Sequence, residues 1–189
     1  MPGGALGKDE HVSIFSFGEF SQERGYKILD ERVMRGSAGV MLLLAIIAFI
    51  NGFIIKDYIV IPFIIGFLML NFAIGLFINP RFSPTVLVAR LMTWRQSALP
   101  IGAVQKKFAW SLGLSLTSAI FVLSLFLQTN EAFFGSVCML CLVCLLFLYL
   151  ETAFGICVGC KIYTYGIRLK IFKAPVVTPN CMGDSCEIN

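Results

Sequence analysis

AFFGSVCMLCLVCLLFLYL, from Ala132 to Leu150, is a run of nineteen residues without a charge, bounded by Glu131 and Glu151. A hydrocarbon core takes about 20 helical residues at ~1.5 Å each, so this run suffices to cross one as a helix. It is continuously apolar instead of alternating, and about twice the length of a barrel strand, which excludes a membrane β-barrel. Three further runs pass the same test: Ser37–Ile55, Tyr58–Asn79 and Phe108–Leu127. The links Lys56–Asp57 and Gln128–Glu131 are so short that each adjoining pair must be an antiparallel hairpin. The expectation is an all-α membrane protein, a four-transmembrane-helix bundle of two helical hairpins, with the fourth helix continuing to about residue 158.

Composition leads to the same solvent. Of 189 residues, 58% are hydrophobic and only 14% charged, and the mean hydropathy is +0.85. A soluble domain carries about 25% charged residues, so this chain has too little polar material to coat itself in water. The scarce charge is sorted. Lys8, Arg24, Lys27, Arg32 and Arg35 precede the first span; Arg81, Arg90, Arg95, Lys106 and Lys107 lie between the second and third; Lys161, Arg168, Lys170 and Lys173 follow the fourth. Only Lys56 falls on the other side, and retention of basic residues in the cytoplasm predicts that both termini are cytoplasmic. Acidic Asp9, Glu10, Glu19 and Glu23 ahead of the first span argue against a cleavable signal.

The chain divides into a cytoplasmic N-terminal segment (1–35), a membrane domain (36–166) and a cysteine-containing tail (167–189). Glu23 to Arg35 mixes charge with Tyr26, Ile28, Leu29, Val33 and Met34 and is expected as an amphipathic helix. After the second span, Ser83 and Pro84 suit a cap and first helical position, and residues 85–98 read as a helix in the headgroup plane. Trp94 would anchor it, and Arg90 and Arg95 would meet lipid headgroups. No basic groove interleaved with stacking aromatics is present, so nucleic acid is not expected as a partner. The net charge of +4 is accounted for by topology and lipid.

Polar side chains at membrane depth are few. Ser111, Ser115 and Ser118, with Gly113 and Thr117, make a small-residue stripe suited to close helix packing. Asn71 is expected in an interhelical hydrogen bond, since a lone amide in lipid is costly. Glu151, at the inner end of span four, lies level with Arg81 and Lys107. It is either an ion-pair partner there or a proton-handling carboxylate beside the cysteines that follow.

Seven cysteines are many for this length. Cys138, Cys141 and Cys144 share one broad helix face, where cysteine is chiefly a small hydrophobe. Cys157 and Cys160 are spaced as a Cys-x-x-Cys pair at the water boundary, overlap Gly155-x-x-x-Gly159 and precede Lys161. That pattern suits a reversible disulfide, with a nearby ammonium favouring thiolate, or two metal ligands. With Cys181 and Cys186 it could form a four-thiolate zinc or iron–sulfur site, although no cofactor is required. The single histidine, His11, excludes bis-histidine haem within the chain. Direct thiol exchange from Cys144 to Cys157 fails on distance, the two being thirteen residues or ~20 Å apart along a helix.

Glu31-Arg32-Val33, Pro80-Arg81-Phe82-Ser83-Pro84, Lys107-Phe108-Ala109 and, above all, Glu151-Thr-Ala-Phe-Gly-Ile-Cys157-Val-Gly-Cys160-Lys161-Ile-Tyr163 carry a resemblance. The chain from Leu29 to Gly166 resembles an uncharacterised bacterial family of four-span integral membrane proteins, a domain of unknown function. The resemblance implies a bacterial-type inner membrane. Family members are often encoded beside thioredoxin-like and sulfurtransferase proteins, which implies thiol or sulfur-compound handling and a thioredoxin-like partner. Cys138, Cys141, Cys144 and the tail cysteines lie outside the shared pattern.

Three functions compete. In the first, Cys157 and Cys160 cycle or carry a persulfide, Glu151 tunes proton transfer, and Arg81, Lys107 or Lys161 stabilises a thiolate or a sulfur oxyanion. In the second, the chain is a non-catalytic accessory subunit of a larger membrane complex. In the third it transports a small sulfur species or a soft metal, which four spans without an inverted repeat disfavour unless it forms a homodimer. The orientation is checked by a reporter active only outside the cytoplasm: fused at Lys56 or Asn130 it is expected to be active, and silence there with activity at the N-terminus would reverse the topology.

Overall fold

The computed structural model describes residues 16–22 and 24–172. In chain order it comprises β1 (Glu19–Ser21), β2 (Tyr26–Asp30), α1 (Glu31–Ile50), α2 (Val60–Ala73), α3 (Pro84–Thr93), β3 (Pro100–Gly102), α4 (Ala103–Leu127), α5 (Phe134–Phe154) and α6 (Val158–Arg168). π-helical segments prolong α1 over Asn51–Ile55 and α2 over Ile74–Ile78. The helices containing α1, α2, α4 and α5 are long and apolar enough to cross a membrane. The protein is an all-α membrane bundle of two antiparallel hairpins. Large apolar side chains such as Leu43, Phe63, Phe77, Val122 and Met139 cover its outside. We call the end where α1 begins and α5 finishes the basic end.

Glycines let the spans close on bulky rings. A Cβ on Gly75 would lie 1.9 Å from the Trp110 ring, and one on Gly113 would lie 2.8 Å from the Phe72 ring. Phe72 and Trp110 meet edge to face at 5.4 Å, so α2 and α4 are keyed together by two aromatic side chains seated over two glycines. The small-residue stripe on α4 is used in two ways. Gly113 forms the close contact, while the Ser111, Ser115, Thr117 and Ser118 hydroxyls donate to carbonyls one turn back on their own helix.

Asn71 is fully buried, and its bonds are interhelical as expected: its Nδ2 donates to Met41 Sδ of α1 at 3.5 Å, and its other partners come from the segment after span two. Its Oδ1 accepts from the Ser83 hydroxyl at 2.6 Å, the Thr85 amide at 3.0 Å and the Thr85 hydroxyl at 3.0 Å. Ser37 of α1 extends the network to Thr85 at 2.7 Å. Each buried donor left unpaired would cost about 1–3 kcal/mol, so this one amide fixes where the chain turns. Asn71 is about two turns above the end of the second span. The chain therefore doubles back after Asn79, and the first turn of α3 is inserted beside α1 and α2. The helix expected over 85–98 is shorter: α3 runs Pro84–Thr93, and its buried face is Thr85, Val86 and Ala89. Trp94 is 77% exposed at its end.

A second correction concerns the N-terminal segment. Tyr26 to Asp30 forms a strand, not the first turns of an amphipathic helix. Gly25, at φ +71°, supplies the left-handed residue of the turn from β1, and both strand pairs in the order β1-β2-β3 are antiparallel. Five residues of mixed polarity fit either period. The turn and the pairing with β3, far away in sequence, decide for the strand. Asp30 ends β2 and caps α1 through the Arg32 amide at 3.0 Å, and it also accepts from the Leu99 amide at 3.2 Å. The sheet thus ties the start of α1 to the start of α4, which begins at Ala103, one turn before the expected Phe108.

The third correction places the cysteine pair. Span four does not run to residue 158. Gly155, at φ +68°, ends α5, and its amide and that of Ile156 donate back to the Glu151 and Leu150 carbonyls. The chain then turns and starts α6 at Cys157.

Candidate functional site

Two basic side chains determine the end of α5. Lys106, in the first turn of α4, has 1% of its side chain exposed and pairs with the Glu151 carboxylate. Arg35, in the second turn of α1, donates to the Thr152 carbonyl at 3.1 Å and lies 3.9 Å from Glu31. A cation over the last carbonyls of a helix is favoured by their partial negative charge. The expectation of an ion pair at Glu151 holds, but its partner is Lys106 and not Arg81 or Lys107. About 100° of helical turn separates adjacent residues, and this puts Lys106 inside and Lys107 outside. Lys107 is exposed near Leu76 and Phe77. Arg81 pairs with Glu19 of β1. Arg90 belongs to the same charged patch: burial and Arg81 push its pKa down, while Glu19 and Asp30 oppose the shift. Arg95 is exposed after α3.

Past the Gly155 turn, Cys157 is the N-cap of α6. Its Sγ accepts from the Cys160 amide at 3.3 Å. The two cysteines are joined in a disulfide with Cα atoms 5.2 Å apart, inside the usual bridging range of about 4.4–6.8 Å. Both are buried, at 3% and 4% exposure. Gly159 between them is obligatory for the crossing, because a Cβ there would lie 2.6 Å from Ala109 Cβ and 2.7 Å from its Cα. Of the two glycines of Gly155-x-x-x-Gly159, Gly159 serves the close helix crossing and Gly155 serves the turn. Phe108, Tyr163 and Phe172 hold α6 against α4 with ring centroids 5.4–5.5 Å apart. Lys161 is half-buried in the first turn of α6, with its amide bonded to the Cys157 carbonyl at 3.1 Å.

The disulfide turn forms part of a larger feature. α5 packs along α1 and leaves a cleft of about 450 Å³ against α4. Phe72 and Trp110 line it from α2 and α4, Cys144 and Phe147 from α5, and Cys157 and Gly159 at the start of α6; Glu151 also faces it. Cys144 and Cys157 thus line one cleft and do not lie on one straight helix. Cys138, Cys141 and Cys144 carry free thiols. The four-thiolate site proposed for Cys157, Cys160, Cys181 and Cys186 falls partly outside the described residues, as its last two members do. Among the described residues, no group of three or more metal-ligating side chains converges.

The model of the domain of unknown function DUF4395 matches residues 29–168, from the middle of β2 to the last residue of α6. The chain belongs to this family. No curated protein and no solved structure matches it. The DUF4395 match takes in all four spans, the Lys106–Glu151 pair and the cysteine turn, and stops short of Cys181 and Cys186. Lys106, Arg35 and the sheet were missed from sequence. Only the adjacency of two lysines at the start of a span hinted that one must point inward.

Replacing Lys106 with Met strands a carboxylate at the end of the cleft. Its thermal unfolding in detergent is expected to show a loss of about 3 kcal/mol or more. The double variant Lys106→Met, Glu151→Leu is expected to recover most of that loss. Equal stability of the single variant and wild type would mean that the pair does not hold α4 to α5.

Proposed function

We propose that this protein is a membrane thiol-redox protein in which Cys157 and Cys160 alternate between dithiol and disulfide. The observation that carries this reading is the pair itself: two buried sulfurs within bonding reach on a turn built by Gly155 and Gly159. Three features support a reactive state. The Cys157 sulfur caps α6, where the helix N-terminus favours negative charge and lowers a thiol's pKa. The Cys160 amide already points at that sulfur. Lys161 follows in sequence, and Glu151, facing the same cleft, is the candidate to take or return a proton. Arg81 and Lys107 have no part in this version, since one is engaged by Glu19 and the other faces outward.

The sorted basic residues favour the cytoplasmic side for the pair and for both termini, and the family resemblance favours a bacterial-type inner membrane. In that compartment disulfides are usually transient and catalytic or sensing, which favours a cycling pair over a permanent staple. A reduced thioredoxin-like protein is the partner such a pair would serve or draw upon.

Acid quenching of cells, alkylation of free thiols and mass spectrometry of the Cys157–Cys160 peptide test the reading. Both oxidised and reduced forms are expected, with the ratio moving when cells are given a reductant or a thiol oxidant. A peptide fixed in one form under both treatments would overturn it. Cys157→Ser with Cys160→Ser is expected to leave the folded protein in the membrane while abolishing the response.

A further inference from the structure

We propose that the cleft between α4 and α5 binds the ring of a lipid-soluble quinone and that this quinone is the oxidant of the Cys157–Cys160 dithiol. The inference rests on the redox reading above and adds the substrate class. Its first support is shape. The cleft is about 450 Å³, within the range of about 300–1,000 Å³ typical of small-molecule sites, and its sides are aromatic and aliphatic. The second is access. Leu112 (37%), Val143 (38%) and Phe147 (37%) line the cleft and are part-exposed on the outer flank of two membrane-length helices. The cleft therefore opens sideways onto the surface that meets lipid, which suits a reactant that arrives through the bilayer.

The third support is the placement of polar groups. Cys157 and Glu151 face the cleft where α5 ends, and the Lys106 ammonium sits on that carboxylate. An acyl chain gains nothing from a sulfur and an ion pair. A quinone has two carbonyl oxygens that accept hydrogen bonds and become hydroxyls, while the rest of the molecule is apolar. Its ring fits beside the polar end, and its tail leaves between Leu112 of α4 and Val143 and Phe147 of α5.

The reaction balances with the groups named. Two S–H bonds break and one S–S bond forms between Cys157 and Cys160. The electron pair passes to the quinone ring, and two protons end on its two oxygens to give the quinol. Glu151 is placed to carry a proton from thiol to ring oxygen. The reaction that resupplies the dithiol must be a thiol–disulfide exchange with a reduced dithiol protein.

The test uses full-length protein reconstituted in nanodiscs, reduced and freed of reductant, with decylubiquinone as the probe. Its ring has no hydrogen left to displace, so loss of thiol reports electron transfer and not ring addition. One quinol per Cys157–Cys160 disulfide is expected, at a rate that saturates with quinone. Val143→Trp, which fills the cleft, is expected to slow this by about tenfold or more, and Val143→Phe, a smaller filler, by less. Both variants should still be oxidised at the wild-type rate by diamide, a water-soluble dithiol oxidant. Oxidation by diamide, with either no reaction with quinone or a quinone rate indifferent to both fillers, would overturn the quinone site and leave the redox pair standing. Failure of both diamide and quinone to form the Cys157–Cys160 bond in wild type would overturn the redox reading itself.

Discussion

The end of α5 is held by two cations from different helices, and the geometry of the cysteine pair follows from that. Lys106 is almost wholly enclosed, and its charge is tolerable there only because Glu151 meets it. Arg35 covers the carbonyls that α5 leaves open at its last turn. Together they stop the helix at a defined level and anchor it to α4 and α1. Gly155 can then turn the chain, Gly159 can cross Ala109 at backbone distance, and Cys157 comes to cap α6 facing the cleft. The Lys106–Glu151 pair is a polar link between α4 and α5, which part over most of the cleft.

Most of the membrane architecture is legible in the sequence because its signal is long. Runs of about 20 apolar residues admit one structure in lipid, a helix, since every backbone group must be bonded internally. Asn71 is legible for a related reason: an amide at that depth has to find a partner. Its partners were not legible. Ser83 and Thr85 reach it only because the chain doubles back after Asn79, and no local pattern announces a re-entry.

The errors cluster where short segments are decided by distant contacts. Tyr26 to Asp30 becomes a strand through pairing with Ile101, some seventy residues away. Lys106 and Lys107 are chemically alike, and only the phase of α4 separates an enclosed lysine from an exposed one. Gly155 carries a readable stop signal, a glycine closing an apolar helix, yet the apolar character of Ile156 and Val158 masks it. With the stop in place, the straight-helix separation of Cys144 and Cys157 no longer applies, and both side chains border one cleft.

Burial gives the cysteine turn its character. Sulfurs that are 3% and 4% exposed are shielded from casual oxidants, so their state depends on what can dock at α6 or enter the cleft. Reversibility of the Cys157–Cys160 bond is what separates a cycling pair from a permanent staple. Equilibrating the reconstituted protein with glutathione buffers of graded potential and quantifying the Cys157–Cys160 bond by mass spectrometry measures it directly. A single two-electron transition is predicted, with the reduced-to-oxidised ratio changing tenfold for about 30 mV, and the same curve from either direction. A bond that persists at every potential that leaves the protein folded, or one that never forms, would contradict the account.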